Sequence, residues 1–343
     1  MKALVLEEYN QFAVRDLPVP EPDTGEVLVR VKACGICGSD VHGMDGSTGR
    51  RIPPLVMGHE ASGTIERLGE GVSGYAPGDR VTFDSTIYCG ECWFCRHGRI
   101  NLCDNRRVLG VACEEYSQNG AFAEYVSVPA RILYPMPEDL TYAQAAMVEP
   151  VSIAFHAVER TPLSINDTVV VVGAGMIGLL IVQTLRLKGC GTVIAVDIDD
   201  ERLALAMEFG ADITINSSEE DASREIKDLL TERGADCAYE AVGNANAFMT
   251  AIDCLRKGGA LGLVGNLSPT LDFPLQQAVT REITLYGSCA SNGEYPACLD
   301  MIARGGIDVD SLISAVAPLS EGASWFERLY NREPGLMKVI LEP

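Results

Sequence analysis

The chain is short of aromatic, histidine and basic residues, and each shortage narrows what it can be. Phe, Tyr and Trp make up 6% of its 343 residues, so any core is filled chiefly by Val, Ile, Leu and Ala, the filling of sheets layered with helices. Only 27 Lys and Arg stand against 48 Asp and Glu, a formal net charge of −21. A surface of that sign repels phosphate backbones and anionic lipid, which excludes nucleic acid and membrane as expected partners. Long hydrophobic runs are missing as well. The longest, residues 169–172 and 177–182, flank a glycine turn and cannot span a bilayer. Residues 1–6 read as a first strand and not as the apolar stretch of a secretory leader, so a cytoplasmic protein is expected.

What the chain does have is length, apolar content and clustered thiols. With 343 residues and 47% hydrophobic content it can bury two cores of ordinary size. Residues 1–140 are rich in Gly and Pro and carry short β-type runs such as 26–31 and 79–83, the texture of an irregular β-rich domain. From about Thr141 the pattern changes. Residues 142–160 are Ala-rich and helical in period, interrupted at Glu149 and Pro150. Strand and helix patterns then alternate over 168–172, 177–188, 192–196, 200–209, 213–215, 222–233, 237–240, 246–256, 260–264 and 283–286. Such alternation predicts a doubly wound parallel sheet, an α/β domain beside the β-rich one. After about Ser288 the rhythm stops, and residues 337–341 read as a last strand. The expected domains are 1–150, 151–289 and 290–343, the last returning to the first.

Two motifs carry chemistry by their spacing alone. Cys89, Cys92, Cys95 and Cys103 place four of the twelve cysteines within 15 residues. Four thiolates at that spacing close a tetrahedral shell around Zn²⁺ and leave no position for water, which defines a structural site. Trp93 and Arg96 between them read as ordinary surface, while His97 and, on the Ala-rich stretch 142–160, His156 read as structural. The second motif is Gly173-Ala174-Gly175-Met176-Ile177-Gly178, with a strand pattern before it and a helix pattern after it. The free N–H groups of that helix start receive a pyrophosphate. Asp197 closes the next strand 19 residues after Gly178, where a carboxylate binds the adenosine ribose and repels a 2′-phosphate. NAD is therefore expected in preference to NADP, with Arg202 the nearby residue that softens the preference.

A third group is dispersed: Cys37, His59, Glu60 and Glu149. No local spacing brings these residues together. Gly58-His59-Glu60, followed by Gly63, Gly69 and Val72, resembles the zinc signature of medium-chain alcohol dehydrogenases. Cys34-Gly35-Ile36-Cys37-Gly38-Ser39-Asp40-Val41-His42 resembles the same family's catalytic-cysteine loop, and Gly78-Asp79-Arg80-Val81 a turn that follows it. The resemblance runs in order through the whole chain and is closest to the sorbitol-type polyol and threonine dehydrogenase branch.

The resemblance implies a GroES-like β-rich catalytic domain with an inserted Rossmann domain. It implies a catalytic zinc held by Cys37, His59 and Glu60, with Glu149 beside the metal, and a proton relay through Ser39 and His42. Val242, Val264, Gly265, Asn266, Ser288 and Cys289 fall where the family lines its cofactor. Two zinc ions per chain, NAD, and a homotetramer or homodimer paired near residues 283–286 complete the expectation. The implied reaction is hydride transfer from a secondary alcohol of a small polar substrate. Free polyol, polyol phosphate, cyclitol and threonine are the alternatives. Where sorbitol enzymes carry an Arg–Tyr pair that grips substrate hydroxyls, this chain has Ala290-Ser291. Two rival readings are weighed: a Cys34–Cys37 redox pair, and a zinc-free quinone reductase or non-catalytic relative. Cys34 is expected to be a small buried residue, and the other isolated cysteines apolar packing or plain surface.

Overall fold

The computed structural model describes residues 1–219 and 221–343. It divides into two compact units, residues 1–149 with 291–343 and residues 150–290. Among the described residues, no helix is long and apolar enough to cross a membrane.

The first unit is built on a seven-stranded sheet. Along its main path run Leu133–Pro135, Arg80–Phe83, Glu60–Leu68, Glu26–Gly35, Lys338–Glu342 and Ile313–Pro318, with Tyr125–Pro129 also paired to Glu26–Gly35. The central strand Glu26–Gly35 carries Val27, Leu28, Val29, Val31, Ala33 and Cys34 because much of it is buried on both faces. Phe83, Phe122, Phe326, Leu4, Leu6 and Met57 fill the core. Two pairings matter for the site. Gly35 lies opposite Glu60 on one side and Ile340 on the other. The end of the central strand therefore gathers the start of Glu60–Leu68 and the middle of Lys338–Glu342.

The second unit is a six-stranded sheet, parallel at every pairing, in the order Ile213–Asn216, Thr192–Asp197, Thr168–Val172, Ala235–Glu240, Leu255–Leu263, Thr284–Gly287. Numbered by chain order this is 3-2-1-4-5-6, the dinucleotide-binding arrangement, whose crevice lies outside the carboxyl ends of the central strands. The strand Thr168–Val172 is buried almost throughout, as a central parallel strand with covered faces must be.

Two sequence expectations need correction here. The helical stretch 142–160 breaks at Met147, ahead of Glu149 and Pro150, giving Tyr142–Ala146 and Val148–Arg160. Pro150 falls in the first turn of the second helix, where its missing N–H costs nothing. The helix expected over 246–256 is Ala245–Asp253, and Leu255 already pairs with Ala235 in the sheet. Tertiary pairing overrides helical periodicity at that end.

Candidate metal centres and nucleotide site

The four-cysteine loop folds on itself around the short helix Trp93–Arg96. The sulfurs of Cys89, Cys92, Cys95 and Cys103 all lie within 4.8 Å of one another, and those of Cys89 and Cys95 are 4.0 Å apart. A tetrahedral zinc with Zn–S near ~2.3 Å needs sulfurs about 3.8 Å apart, so the set fits. Backbone N–H groups point at the sulfurs: Cys89 N–H donates to Cys103 at 3.2 Å, and Cys92 N–H to Cys89 at 3.4 Å. Donors so placed favour thiolate. Those of Glu91 and Cys92 pull the Cys89 thiol down to about 6, whereas burial pushes the Cys95 thiol up to about 12 and the Cys103 thiol upward. His97 is not part of the set; its ring stacks on Trp93 at 4.1 Å and its Nδ1 sits 2.7 Å from the Trp93 carbonyl.

The second centre is assembled from chain ends of separate elements. Cys37 caps the short helix Gly38–Val41, and His59 directly precedes Glu60, the first residue of its strand. The three offer ligand atoms within 4.8 Å of one another. Glu149 falls outside that set. It accepts a hydrogen bond from Ser85 Oγ at 3.1 Å, and burial pushes its carboxyl up to about 7, with His59 pulling down and Glu60 pushing further up. Cys34 is fully buried inside the sheet, and its thiol is pushed well up by burial, which sets it apart from the low-pKa thiols of redox pairs.

Sequence reasoning missed the residues that hold this centre. Lys338 Nζ donates to Glu60 Oε2 at 2.6 Å and to the Ile36 carbonyl at 3.0 Å, with both charged side chains buried. Gly35 makes room for the pair, because a Cβ there would collide with the Glu60 carboxylate. The only signal was a charge standing inside the apolar final strand. Asp40, fully buried, turns Oδ2 toward His59 Nδ1 at 3.4 Å, and Arg51 donates to its Oδ1 from Nε and Nη2 at 2.9 and 2.7 Å. Burial opposes the charge on Asp40, yet His59 and Arg51 hold its carboxyl down at about 2. His59, also opposed by burial, is raised well above the usual range by Asp40 and Cys37. Ser39 Oγ donates to Cys37 Sγ at 3.3 Å, and His42 caps the same helix, half-buried.

In the second unit the three glycines have separate reasons. Gly173 takes φ +100°, and a Cβ there would stand 2.5 Å from Val242 Cγ2. A Cβ on Gly178 would collide with the Gly173 carbonyl, whereas one on Gly175 would meet nothing within 4 Å. Gly175 also opens the helix Met176–Lys188 without a side-chain cap, so the first N–H groups, including those of Met176 and Ile177, keep their donors for an anion. These residues fit a dinucleotide. Asp197 ties the loop to the second strand. Its Oδ2 accepts from Ala174 N–H at 2.6 Å, and Oδ1 from the N–H groups of Ile198 and Asp199 at 2.8 and 3.1 Å. Oδ2, with one N–H donor against two on Oδ1, retains lone-pair capacity for a ribose hydroxyl. Arg202 is partly exposed and pairs with Asp199 at 3.7 Å. Val264 and Gly265 donate to the Glu240 carbonyl at 3.0 and 2.9 Å, and Gly265 packs its backbone on Gly243. Ser288 N–H donates to the Leu263 carbonyl at 3.0 Å, Cys289 is half-buried and Asn266 is exposed.

Comparison with known proteins matches both halves. The model of the alcohol dehydrogenase GroES-like domain covers residues 23–138, and that of the zinc-binding dehydrogenase covers residues 177–304. Sorbitol dehydrogenase of Bacillus subtilis is 34% identical over 348 residues, covering 100% of this chain and 97% of the relative. D-arabitol-phosphate dehydrogenase of Enterococcus avium is 34% identical, covering 97% and 94%. The crystal structure of a zinc-binding dehydrogenase from Sinorhizobium meliloti 1021, bound to NADP, superposes with a TM-score of 0.89 at 32% identity, covering 100% of this chain and 99% of that one.

Proposed function

The chain belongs to the zinc-type alcohol dehydrogenase family, and from that premise we propose that it oxidises a secondary alcohol of a polyol-like substrate to a ketone, with NAD as hydride acceptor. The observation that carries this reading is the set Cys37, His59 and Glu60, the first half-buried and the other two buried, with ligand atoms within 4.8 Å of one another. Three donors of that chemistry leave one tetrahedral position for substrate, the pattern of a catalytic zinc. Quinone-reductase and non-catalytic relatives lose those ligands; this chain keeps all three. A second zinc at the four cysteines is structural, since four thiolates fill its shell.

Zinc held there supplies a Lewis acid that makes a substrate hydroxyl acidic near neutral pH, and the nicotinamide supplies the hydride acceptor. The chain's own residues do the rest. Ser39, beside Cys37, takes the hydroxyl proton and passes it to His42 and outward. Glu149, with its carboxyl pushed up to about 7, stands ready to hold a proton beside the same centre. Gly173, Gly175 and Gly178 bring backbone against the pyrophosphate, and Asp197 takes the adenosine ribose hydroxyls and disfavours a 2′-phosphate.

Relatives named for sorbitol and for D-arabitol phosphate support a polyol and leave free polyol, polyol phosphate, cyclitol and threonine to be separated by assay. No disulfide joins any of the twelve cysteines, which fits a reducing compartment, and we assign the chain to the cytoplasm. The edge strand Thr284–Gly287, near the exposed Leu271, Phe273, Leu275 and Val279, supports pairing into a homodimer or homotetramer. The decisive experiment offers these four substrate classes with NAD and follows reduced nicotinamide, alongside a zinc count. Turnover of a polyol class with two zinc ions per chain is expected; a single zinc, or no turnover of any secondary alcohol, overturns the proposal.

A further inference from the structure

We propose that Arg51 is a positioning residue of the Cys37–His59–Glu60 centre, holding His59 through Asp40 and Cys37 through Ser39 with one guanidinium. The inference rests on reading that centre as a zinc site.

Arg51 lies in the loop between the helix Gly38–Val41 and the strand Leu55–Val56, yet only 4% of its surface is exposed. Every guanidinium nitrogen has a partner. Nε and Nη2 meet Asp40 Oδ1 at 2.9 and 2.7 Å, Nη2 also reaches Ser39 Oγ at 3.3 Å, and Nη1 meets the Arg50 carbonyl at 3.0 Å. This engages one Asp40 oxygen and leaves the other facing His59 Nδ1 at 3.4 Å. With Nδ1 turned toward a carboxylate, Nε2 is the ring nitrogen presented to a metal. The same Nη2 steadies Ser39, whose hydroxyl donates to Cys37 Sγ at 3.3 Å. One side chain thus stands a single residue away from two of the three ligands, which come from different elements.

The local sequence is shaped around this arrangement. Gly43 has no Cβ where one would stand 2.6 Å from Arg51 Cγ, so the stem passes where any other residue would obstruct it. Lysine would keep the charge, but its compact ammonium cannot span Asp40 and Ser39 as a planar fork does. A histidine that ligates metal is neutral, so Arg51 remains as a cation beside the buried Asp40 carboxylate once His59 is engaged.

The test compares wild type with Arg51→Lys and Gly43→Ala. Zinc per chain is measured before and after challenge with a soluble chelator, and the visible spectrum is recorded after cobalt replaces zinc. Arg51→Lys should keep the four-cysteine zinc and release the other about 10–100-fold more readily, with an altered cobalt spectrum. Gly43→Ala, which presses on the Arg51 stem and on the Ser39 carbonyl without changing any charge, should shift both readouts in the same direction and less. Zinc retention and cobalt spectrum both equal to wild type in Arg51→Lys overturn the inference. So does parallel loss of both metals with a lowered melting temperature, which would make Arg51 a packing residue. Wild-type enzyme holding metal at the cysteine set alone overturns the zinc reading itself, and this inference with it.

Discussion

The two candidate metal centres of the first unit are opposites in construction. The four-cysteine set comes from 15 consecutive residues; three of its members are half-buried, and its sulfurs are oriented by the loop's own backbone N–H groups. The other set joins Cys37 to His59 and Glu60 and depends on Asp40, Arg51 and Lys338, a span of 301 positions from 37 to 338. The side chains that hold its ligands from behind are buried charges. A closed local site needs little from the rest of the fold, because thiolates and backbone donors satisfy it. An open catalytic site must leave one position free, so its remaining ligands have to be held from behind by ion pairs that only a folded sheet brings together.

The largest effect should come from exchanging a ligand in each centre. His59→Ala should remove one zinc and cut kcat/KM by about three orders of magnitude, equivalent to about 4 kcal/mol of transition-state stabilisation, with little change in melting temperature. Cys95→Ser should also remove one zinc, but lower the melting temperature and leave hydride transfer intact in whatever remains folded. If Cys95→Ser abolishes turnover while stability holds, the two roles are reversed.

The next variant probes the buried charges. In the zinc-free chain, Lys338→Met leaves the buried Glu60 carboxylate without its lysine at the end of the central strand, which should destabilise the chain by about 3 kcal/mol or more. Denaturant melts read this directly, and an unchanged midpoint would mean that Glu60 finds another partner.

Asp197 extends the comparison to the second unit, where the motif is again local. NAD should exceed NADP by at least ~100-fold in kcat/KM, about 2.7 kcal/mol, and Asp197→Ser should erase much of that gap. Initial rates with both cofactors decide it, and equal wild-type rates would sink the assignment.

The smallest effect concerns Asp84, buried behind Ser291 and pushed up to about 6 by desolvation. A carboxyl whose folded pKa is raised binds its proton more tightly when folded. Its contribution is therefore present below about pH 4 and lost as pH rises through about 6. Asp84→Asn should flatten the fall in melting temperature between about pH 4 and about pH 6. A slope that persists in the variant assigns the titration elsewhere.

What could be read from the chain follows the same division. The cysteine loop, the glycine turn and the strand–helix alternation of the second unit are local patterns, and the pairing Thr168–Val172 with Thr192–Asp197 stands where periodicity put it. Cys37, His59 and Glu60 could be named only through resemblance, because nothing in their spacing says that they meet. The break at Met147 and the early end of the helix Ala245–Asp253 were set by packing and strand pairing that periodicity does not encode. By itself, then, the sequence determined the strand–helix alternation of the second unit, the four-cysteine cluster and the glycine turn, since each is written within one stretch of backbone. The tertiary structure decided that Lys338 would meet Glu60 and that Arg51 would stand behind Asp40. Buried charges are stable only where an opposite charge arrives from elsewhere in the chain, and that arrival is a property of the assembled sheet.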